Sequence, residues 1–144
     1  MKKIAINRCF GGFDLSLEAE EMLWNLKGYK KVYFYSQEFK DDNYKNIFYK
    51  KISGLNNSPF MTLCVKKDYG EETQAIDKDD FLWSYNIHKN REDKDLIYVI
   101  ETLGNKASGS FGKLKIVEIP DDVVYEIDDY DGMETVKEVH RSWY

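Results

Sequence analysis

The segment from Asn7 to Phe13 carries the residue types in this chain that are best suited to bind an anion. A strand that runs through Gly11 and Gly12 into a helix N-terminus leaves backbone N–H groups unpaired, and the helix dipole favours negative charge there. Glycine lets a phosphate approach the backbone, and Arg8 could add a charge-assisted hydrogen bond. Neither the GxGxxG pattern nor the P-loop spacing is present, so the same residues also fit a tight turn with positive φ angles.

The end of the chain holds a second group of candidate binding residues. His140, Arg141 and Trp143 combine an imidazole, a planar cation and an indole, which are groups that stack on a nucleobase and hold a phosphate. Trp143 fits equally well as the last core residue of a helix, with Arg141 in solvent. Arg91, just before a predicted helix, and the loop from Ser108 to Gly112 are lesser candidates of the same kind.

Nucleophilic catalysis would need Cys9 with His88 or His140 as its base, because a thiolate requires such a partner or a helix N-terminus. Neither histidine lies in a recognisable cysteine-enzyme context, and a small buried side chain is the commoner fate of a cysteine. Cys9 and Cys64 lack CxxC spacing, so neither a disulfide framework nor a zinc site is indicated. We therefore predict no catalytic residue and no cofactor.

A run of carboxylates towards the C-terminus could in principle bind a hard cation. Its spacing does not follow the calcium-loop pattern, and a hairpin turn and a helix cap would use most of these acids. A solvated acidic edge without a metal is the prediction. The run consists of Asp121, Asp122, Glu126, Asp128, Asp129 and Asp131.

Charge and hydropathy restrict the class of partner. The net charge of −5 and the pI near 5.1 argue against binding to duplex nucleic acid, which relies on a basic surface. No apolar run approaches the roughly 20 residues of a membrane span, and the run from Ile4 to Ile6 is too short for a signal peptide. A cytoplasmic protein that does not bind membranes is expected.

Hydrophobic periodicity predicts two strong helices. Ala19, Met22, Leu23 and Leu26 form one apolar stripe, with Asp14 or Ser16 as the cap and Gly28 as the stop. The second helix runs from about Glu92 to Leu103 and ends at Gly104. Strands are expected at residues 2–8, 31–36, 60–66, 113–119 and 123–128, with a short segment at 47–52 and an ambiguous aromatic segment at 81–88.

The last part of the chain predicts the topology. Pro120-Asp121-Asp122 between two strands indicates a hairpin, and Asp131 with Glu134 resembles a capping box for a third helix. No repeat or linker divides the pattern. The order favours a single α+β domain over residues 1–144, in which a mixed sheet carries about three helices on one side.

Three stretches of sequence resemble a family of small, mostly uncharacterised phage proteins. They are the start "INRCFGGF" at residues 6–13, "KIVEIPDDV" at residues 115–123, and "YDG" at residues 130–132 through "HRSW" at residues 140–143. Together they cover about a third of the chain. The resemblance implies a cytoplasmic protein of a bacterial host cell, by analogy with phage sponges that sequester nucleotide immune signals, among them ADP-ribose derivatives.

We therefore predict a non-catalytic binding protein for a nucleotide-derived anion, with a pocket that homo-oligomer formation could complete. Two alternatives stay open: a small nucleotide hydrolase that uses His140 or Cys9, and a protein–protein inhibitor with a Tyr-rich surface and no small-molecule ligand. The predicted ligand-binding residues are Asn7, Arg8, Phe10, Gly11, Gly12, Phe13, Arg91, His140, Arg141 and Trp143.

Overall fold

The computed structural model describes residues 1–40, 46–55 and 61–140. These residues contain eight β-strands and three α-helices. The predicted α+β class is confirmed, and the number of helices agrees with the prediction of about three. The helices are α1 (Leu17–Leu26), α2 (Tyr85–His88) and α3 (Lys94–Leu103). The strands are β1 (Lys2–Asn7), β2 (Tyr33–Phe39), β3 (Ile47–Lys51), β4 (Thr62–Val65), β5 (Glu72–Thr73), β6 (Leu114–Ile119), β7 (Tyr125–Tyr130) and β8 (Met133–Glu138).

The strands pair in three antiparallel sheets, whereas the sequence predicted one mixed sheet. β1 pairs with β6, so that Ala5 lies opposite Ile116 and Asn7 opposite Leu114. The four-stranded sheet has the order β4-β2-β3-β5. β7 and β8 form a two-stranded hairpin.

Helix α1 begins and ends where its capping residues predict. The Ser16 hydroxyl accepts a hydrogen bond from the backbone N–H of Ala19 at 3.1 Å, so Ser16 is the cap of the two that were expected. Gly28 follows the helix with a φ of 105°, a conformation that glycine adopts without strain. Asp93 caps α3 in the same way by accepting from the N–H groups of Asp95 and Leu96.

Helix α1 is shared by two hydrophobic cores. One side, through Ala19 and Leu23, packs with Leu96 and Val99 of α3 and with β1. The other side belongs to a second core, which contains Leu17, Trp24, Val32, Phe34, Cys64 and Leu82. This arrangement places α1 next to the four-stranded sheet and to the segment that leads into α2.

Two predictions for the C-terminal part are wrong. Residues 113–119 and 123–128 do not form a hairpin, because β6 pairs with β1 and β7 pairs with β8. The third predicted helix is strand β8. Asp131 and Gly132 have φ angles of 52° and 89°, as the central residues of a type I′ hairpin turn do, and Tyr130 pairs directly with Met133 across them. The Asp-Gly turn signal outweighs the capping box.

Candidate functional site

The turn after β1 does not open directly into a helix. β1 ends at Asn7 and α1 begins only at Leu17, with Ser16 as its cap. The backbone N–H of Gly11 donates to the carbonyl oxygen of Asp131 at 3.2 Å. The Ala19 N–H at the helix N-terminus and the N–H of Gly11 are therefore both engaged within the protein.

Asn7 joins three segments of the chain and is fully buried. Its Nδ2 atom donates to the carbonyl oxygens of Cys9 and Gly132, at 2.9 and 2.7 Å. Its Oδ1 atom accepts from the backbone N–H of Lys113 at 2.7 Å. These hydrogen bonds satisfy a buried amide, which is the role of a structural residue.

Both predicted binding arginines of the described chain contact strand β8. Arg8 Nη1 donates to the carbonyl oxygen of Glu134 at 2.8 Å and to Thr135 Oγ1 at 3.2 Å. Arg91 forms a bidentate ion pair with the Glu134 carboxylate at 2.6 and 2.9 Å, and Glu134 also accepts from the Asn7 N–H. These two cations are thus held by protein oxygens at the turn.

Of the remaining predicted site residues, Phe13 packs on Arg91, with the guanidinium carbon 4.0 Å from its ring centroid, whereas Phe10 and His140 are exposed. Phe10 is 63% exposed and lies edge-on to Tyr130, with ring centroids 6.3 Å apart. His140 is exposed at the end of the described chain, and the predicted ligand residues Arg141 and Trp143 lie outside the described residues.

Cys9 and His88 are not paired by a hydrogen bond within the described part of the chain. The Cys9 thiol donates to Asn7 Oδ1 at 3.5 Å and to the Phe111 carbonyl oxygen at 3.4 Å. His88 instead stacks on Phe13, with ring centroids 5.1 Å apart and an angle of 27°. Among the described residues, the thiol therefore has no hydrogen-bonded base, which a nucleophilic cysteine needs.

A cleft of about 180 Å³ lies between α1, β4 and α2, and we call it the Glu20–His88 cleft. The backbone N–H of Leu82 donates to the Cys64 carbonyl oxygen, which holds the segment before α2 against β4. Glu20 reaches the cleft from α1. Its wall also includes Cys64, Phe81, Trp83, Ser84, Tyr85 and His88.

The Glu20 carboxyl changes charge near neutral pH. Burial raises the pKa of Glu20 to about 7, and the Trp24 indole and the Ser84 hydroxyl oppose this shift without cancelling it. The Nε1 atom of Trp24 is buried and makes no hydrogen bond of normal geometry to a described residue. Near pH 7 the carboxyl can therefore donate as well as accept a hydrogen bond.

His88 is the second titratable group of the cleft. Burial, with a smaller effect from the Arg91 charge, lowers the pKa of His88 to about 4, so the imidazole is neutral at physiological pH. Its Nδ1 atom is buried and has no hydrogen-bond partner among the described residues. A buried polar atom without a partner costs free energy that a bound ligand can recover.

Glu20 is expected to make the free energy of unfolding fall as the pH rises from about 4.5 to about 7. In this window the folded chain keeps the proton that the unfolded chain has lost, so the contribution is complete below pH 4.5 and gone above pH 7. The loss is on the order of 3 kcal/mol, at about 1.4 kcal/mol for each pKa unit. Urea unfolding at a series of pH values measures it.

His88 acts in the opposite direction between pH 6.5 and about 4, because its pKa is lowered in the folded chain. The effect of Glu20 is therefore isolated as the difference between the wild type and Glu20→Gln. Glu18→Gln, an exposed neighbour on α1, is the matched control and should leave the profile unchanged. A Glu20→Gln profile that parallels the wild type would contradict the placement of Glu20.

Three groups of this cleft were missed at the level of sequence: Glu20, Trp83 and Ser84. In the sequence, Glu20 is one of three acids at the start of a predicted helix, where carboxylates suit the helix dipole, and nothing marks it as buried. The one available signal was the density of aromatic residues from Phe81 to Tyr85, since such side chains are common on ligand surfaces.

In residues 1–40, 46–55 and 61–140, no helix is long and apolar enough to cross a membrane. The same residues contain no cluster of three or more His, Cys, Asp and Glu side chains that could hold a metal ion.

No family model matches the chain, and no curated protein or solved structure matches it. The resemblance to small phage proteins stays a prediction.

Proposed function

We propose that the chain is a non-catalytic binding protein that sequesters a small planar heterocycle, such as the base of a nucleotide-derived signal, in the Glu20–His88 cleft. The observation that carries the proposal is the buried, unpartnered Nδ1 atom of His88 in the wall of a cleft that an exposed tryptophan, Trp83, also lines. A ligand group that reaches this atom would supply the hydrogen bond that it lacks.

The aromatic rings supply the surface for a planar ligand. Trp83 is 55% exposed, and its ring centroid lies 5.6 Å from that of Phe81. Tyr85 is also exposed at the cleft. Stacking of a base on such a ring contributes about 1–3 kcal/mol, so these side chains can supply a substantial part of the binding free energy of a heterocycle.

The polar groups define the edge of the ligand that fits. A protonated Glu20 offers a donor and an acceptor side by side, and Ser84 adds a hydroxyl. The neutral His88 adds its unpartnered Nδ1. Amide-like and amidine-like edges, which combine a donor and an acceptor, complement this set, and nucleobases carry such edges.

The size and charge of the cleft limit the part of the ligand that it encloses. Its volume of about 180 Å³ is smaller than the roughly 300–1,000 Å³ of pockets for drug-sized molecules. Its described wall contains no lysine or arginine. The cleft therefore suits a single ring system, and a sugar or phosphate attached to it would extend outwards.

Incubation with free nucleobases, nucleosides and ADP-ribose, followed by thermal melting and by mass spectrometry of ligand released on heating, tests the proposal. One compound should be retained unaltered and should raise the melting temperature. Trp83→Ala should weaken its binding about 5- to 150-fold, from the stacking energy that is lost.

Tyr98→Ala is the matched control, because Tyr98 on α3 is 56% exposed, as Trp83 is, and lies outside the cleft. Retention of no compound in the panel, or equal loss of binding in both variants, would refute the proposal.

A hydrolase at the same cleft is the second candidate. It is favoured by the opposite shifts of Glu20 and His88, since titratable groups with pKa values pushed apart are typical of acid–base catalysis. In this hydrolase, Glu20 and His88 would carry the chemistry, whereas the sequence-based alternative assigned it to His140 or Cys9. A hydrolase would return the bound compound cleaved, and Glu20→Gln would stop the cleavage while the compound still binds.

A further inference from the structure

We infer that Phe13 is a positioning residue that orients the His88 imidazole in the Glu20–His88 cleft. The inference rests on the proposed function, because the cleft is where His88 would meet a ligand. It gives the conspicuous turn from Asn7 to Phe13 a role that requires no contact with that ligand.

The contact between Phe13 and His88 is a stack of two flat groups. Their ring centroids are 5.1 Å apart and their planes differ by 27°. Tyr85 meets His88 edge-on, with centroids 5.4 Å apart and planes at 86°. The ring is thus held by two aromatic contacts of favourable geometry while its Nδ1 atom stays unpartnered.

Phe13 is itself fixed by Arg91. The guanidinium carbon lies 4.0 Å from the centroid of the Phe13 ring, within the range of a cation–π contact. The bidentate bond to Glu134 leaves Arg91 little rotational freedom, and the guanidinium also donates to the carbonyl oxygen of Ala5 at 3.2 Å.

A continuous set of contacts therefore connects the end of β1 to the cleft. The Asn7 N–H bonds to Glu134, Glu134 to Arg91, Arg91 packs on Phe13, and Phe13 stacks on His88. The positive charge of Arg91 near the imidazole also favours its neutral form. Both the orientation of the His88 ring and its charge state depend on these contacts.

Phe13→Leu tests the inference, because leucine keeps an apolar side chain and removes the flat face. In the free protein, NMR titration of His88 should show its pKa move from about 4 towards 6.5 as the ring loosens. Leu103→Ala is the control, since Leu103 packs on the same core as Phe13 and its loss destabilises the chain without touching His88. An unchanged His88 titration in Phe13→Leu, or an equal shift in both variants, would overturn the inference.

A second measurement needs no substitution. In the wild type, nuclear Overhauser effects between ring protons of Phe13 and His88 are expected, and their absence would also overturn the inference. Neither measurement involves a ligand, so failure of the stack is distinguishable from failure of the proposed function. Retention of a ligand by a chain with no Phe13–His88 contact would leave the binding function in place and refute the role of Phe13.

Discussion

Glu134→Ala is expected to lower the free energy of unfolding by about 3–5 kcal/mol, the usual cost of removing one partner of a buried ion pair. The side chains of Glu134 and Arg91 are only 7% and 15% exposed. Truncation would leave the Arg91 guanidinium buried without a counter-charge and the Asn7 N–H without its acceptor. Urea denaturation followed by circular dichroism measures the change.

The matched control for Glu134→Ala is Glu101→Ala, which breaks the ion pair with Lys3. Those two side chains are 45% and 40% exposed, so this loss should stay within about 1 kcal/mol. Equal losses in the two variants would contradict the buried position of the Glu134–Arg91 pair.

Gly11→Ala should lower the free energy of unfolding by about 2–4 kcal/mol. A Cβ atom at this position would clash with backbone atoms, which cannot rotate out of its way as a side chain can. The new atom would lie 2.3 Å from the carbonyl oxygen of Phe111, and Gly11 already has a φ of 151°. The turn, the loop at Phe111 and the hairpin would have to move apart. Thermal melting and urea denaturation measure the loss.

Gly12→Ala separates packing from ligand binding in this turn. A Cβ atom on Gly12 meets nothing within 4 Å, and its φ lies outside the positive region, so stability should change by no more than about 0.5 kcal/mol. If Gly12→Ala were as costly as Gly11→Ala, the packing described for the turn would be wrong. A turn that cradled a phosphate would instead lose ligand affinity in both variants.

Helices α1 and α3 were predictable because their signals are local. The apolar stripe from Ala19 to Leu26, the Ser16 cap and Gly28 all lie within a few residues of α1, and the same is true of α3. Each signal acts through contacts between close neighbours in sequence, so no knowledge of the tertiary structure was needed.

Strand pairing was not predictable in the same way. β6 is followed closely by β7 in sequence, yet its partner is β1 at the other end of the chain. That choice depends on which apolar faces meet in the core. Around Asp131, two local signals competed, and the positive φ angles of Asp131 and Gly132 decided for a hairpin.

The candidate site shows the same difference between features visible in the local sequence and features that depend on tertiary contacts. The turn from Asn7 to Phe13 attracted attention because its glycines and its arginine are visible in the sequence. The hydrogen bonds that engage Gly11 and the Arg8 side chain come from the β7–β8 turn and from β8, at the far end of the chain. The properties of Glu20 and His88 arise from burial, which the sequence does not display. The aromatic segment before His88 was visible, but its position beside α1 was not.

The way in which Asn7, Gly11 and Gly132 interlock has an evolutionary consequence. A Cβ atom on Gly132 would lie 2.5 Å from the carbonyl carbon of Gly11, so neither residue can drift without displacing the other. Natural variants that share this fold should keep glycine at these two positions, whatever their function. If the Glu20–His88 cleft binds a ligand as proposed, divergence in ligand choice should instead appear at Trp83, whose side chain is exposed.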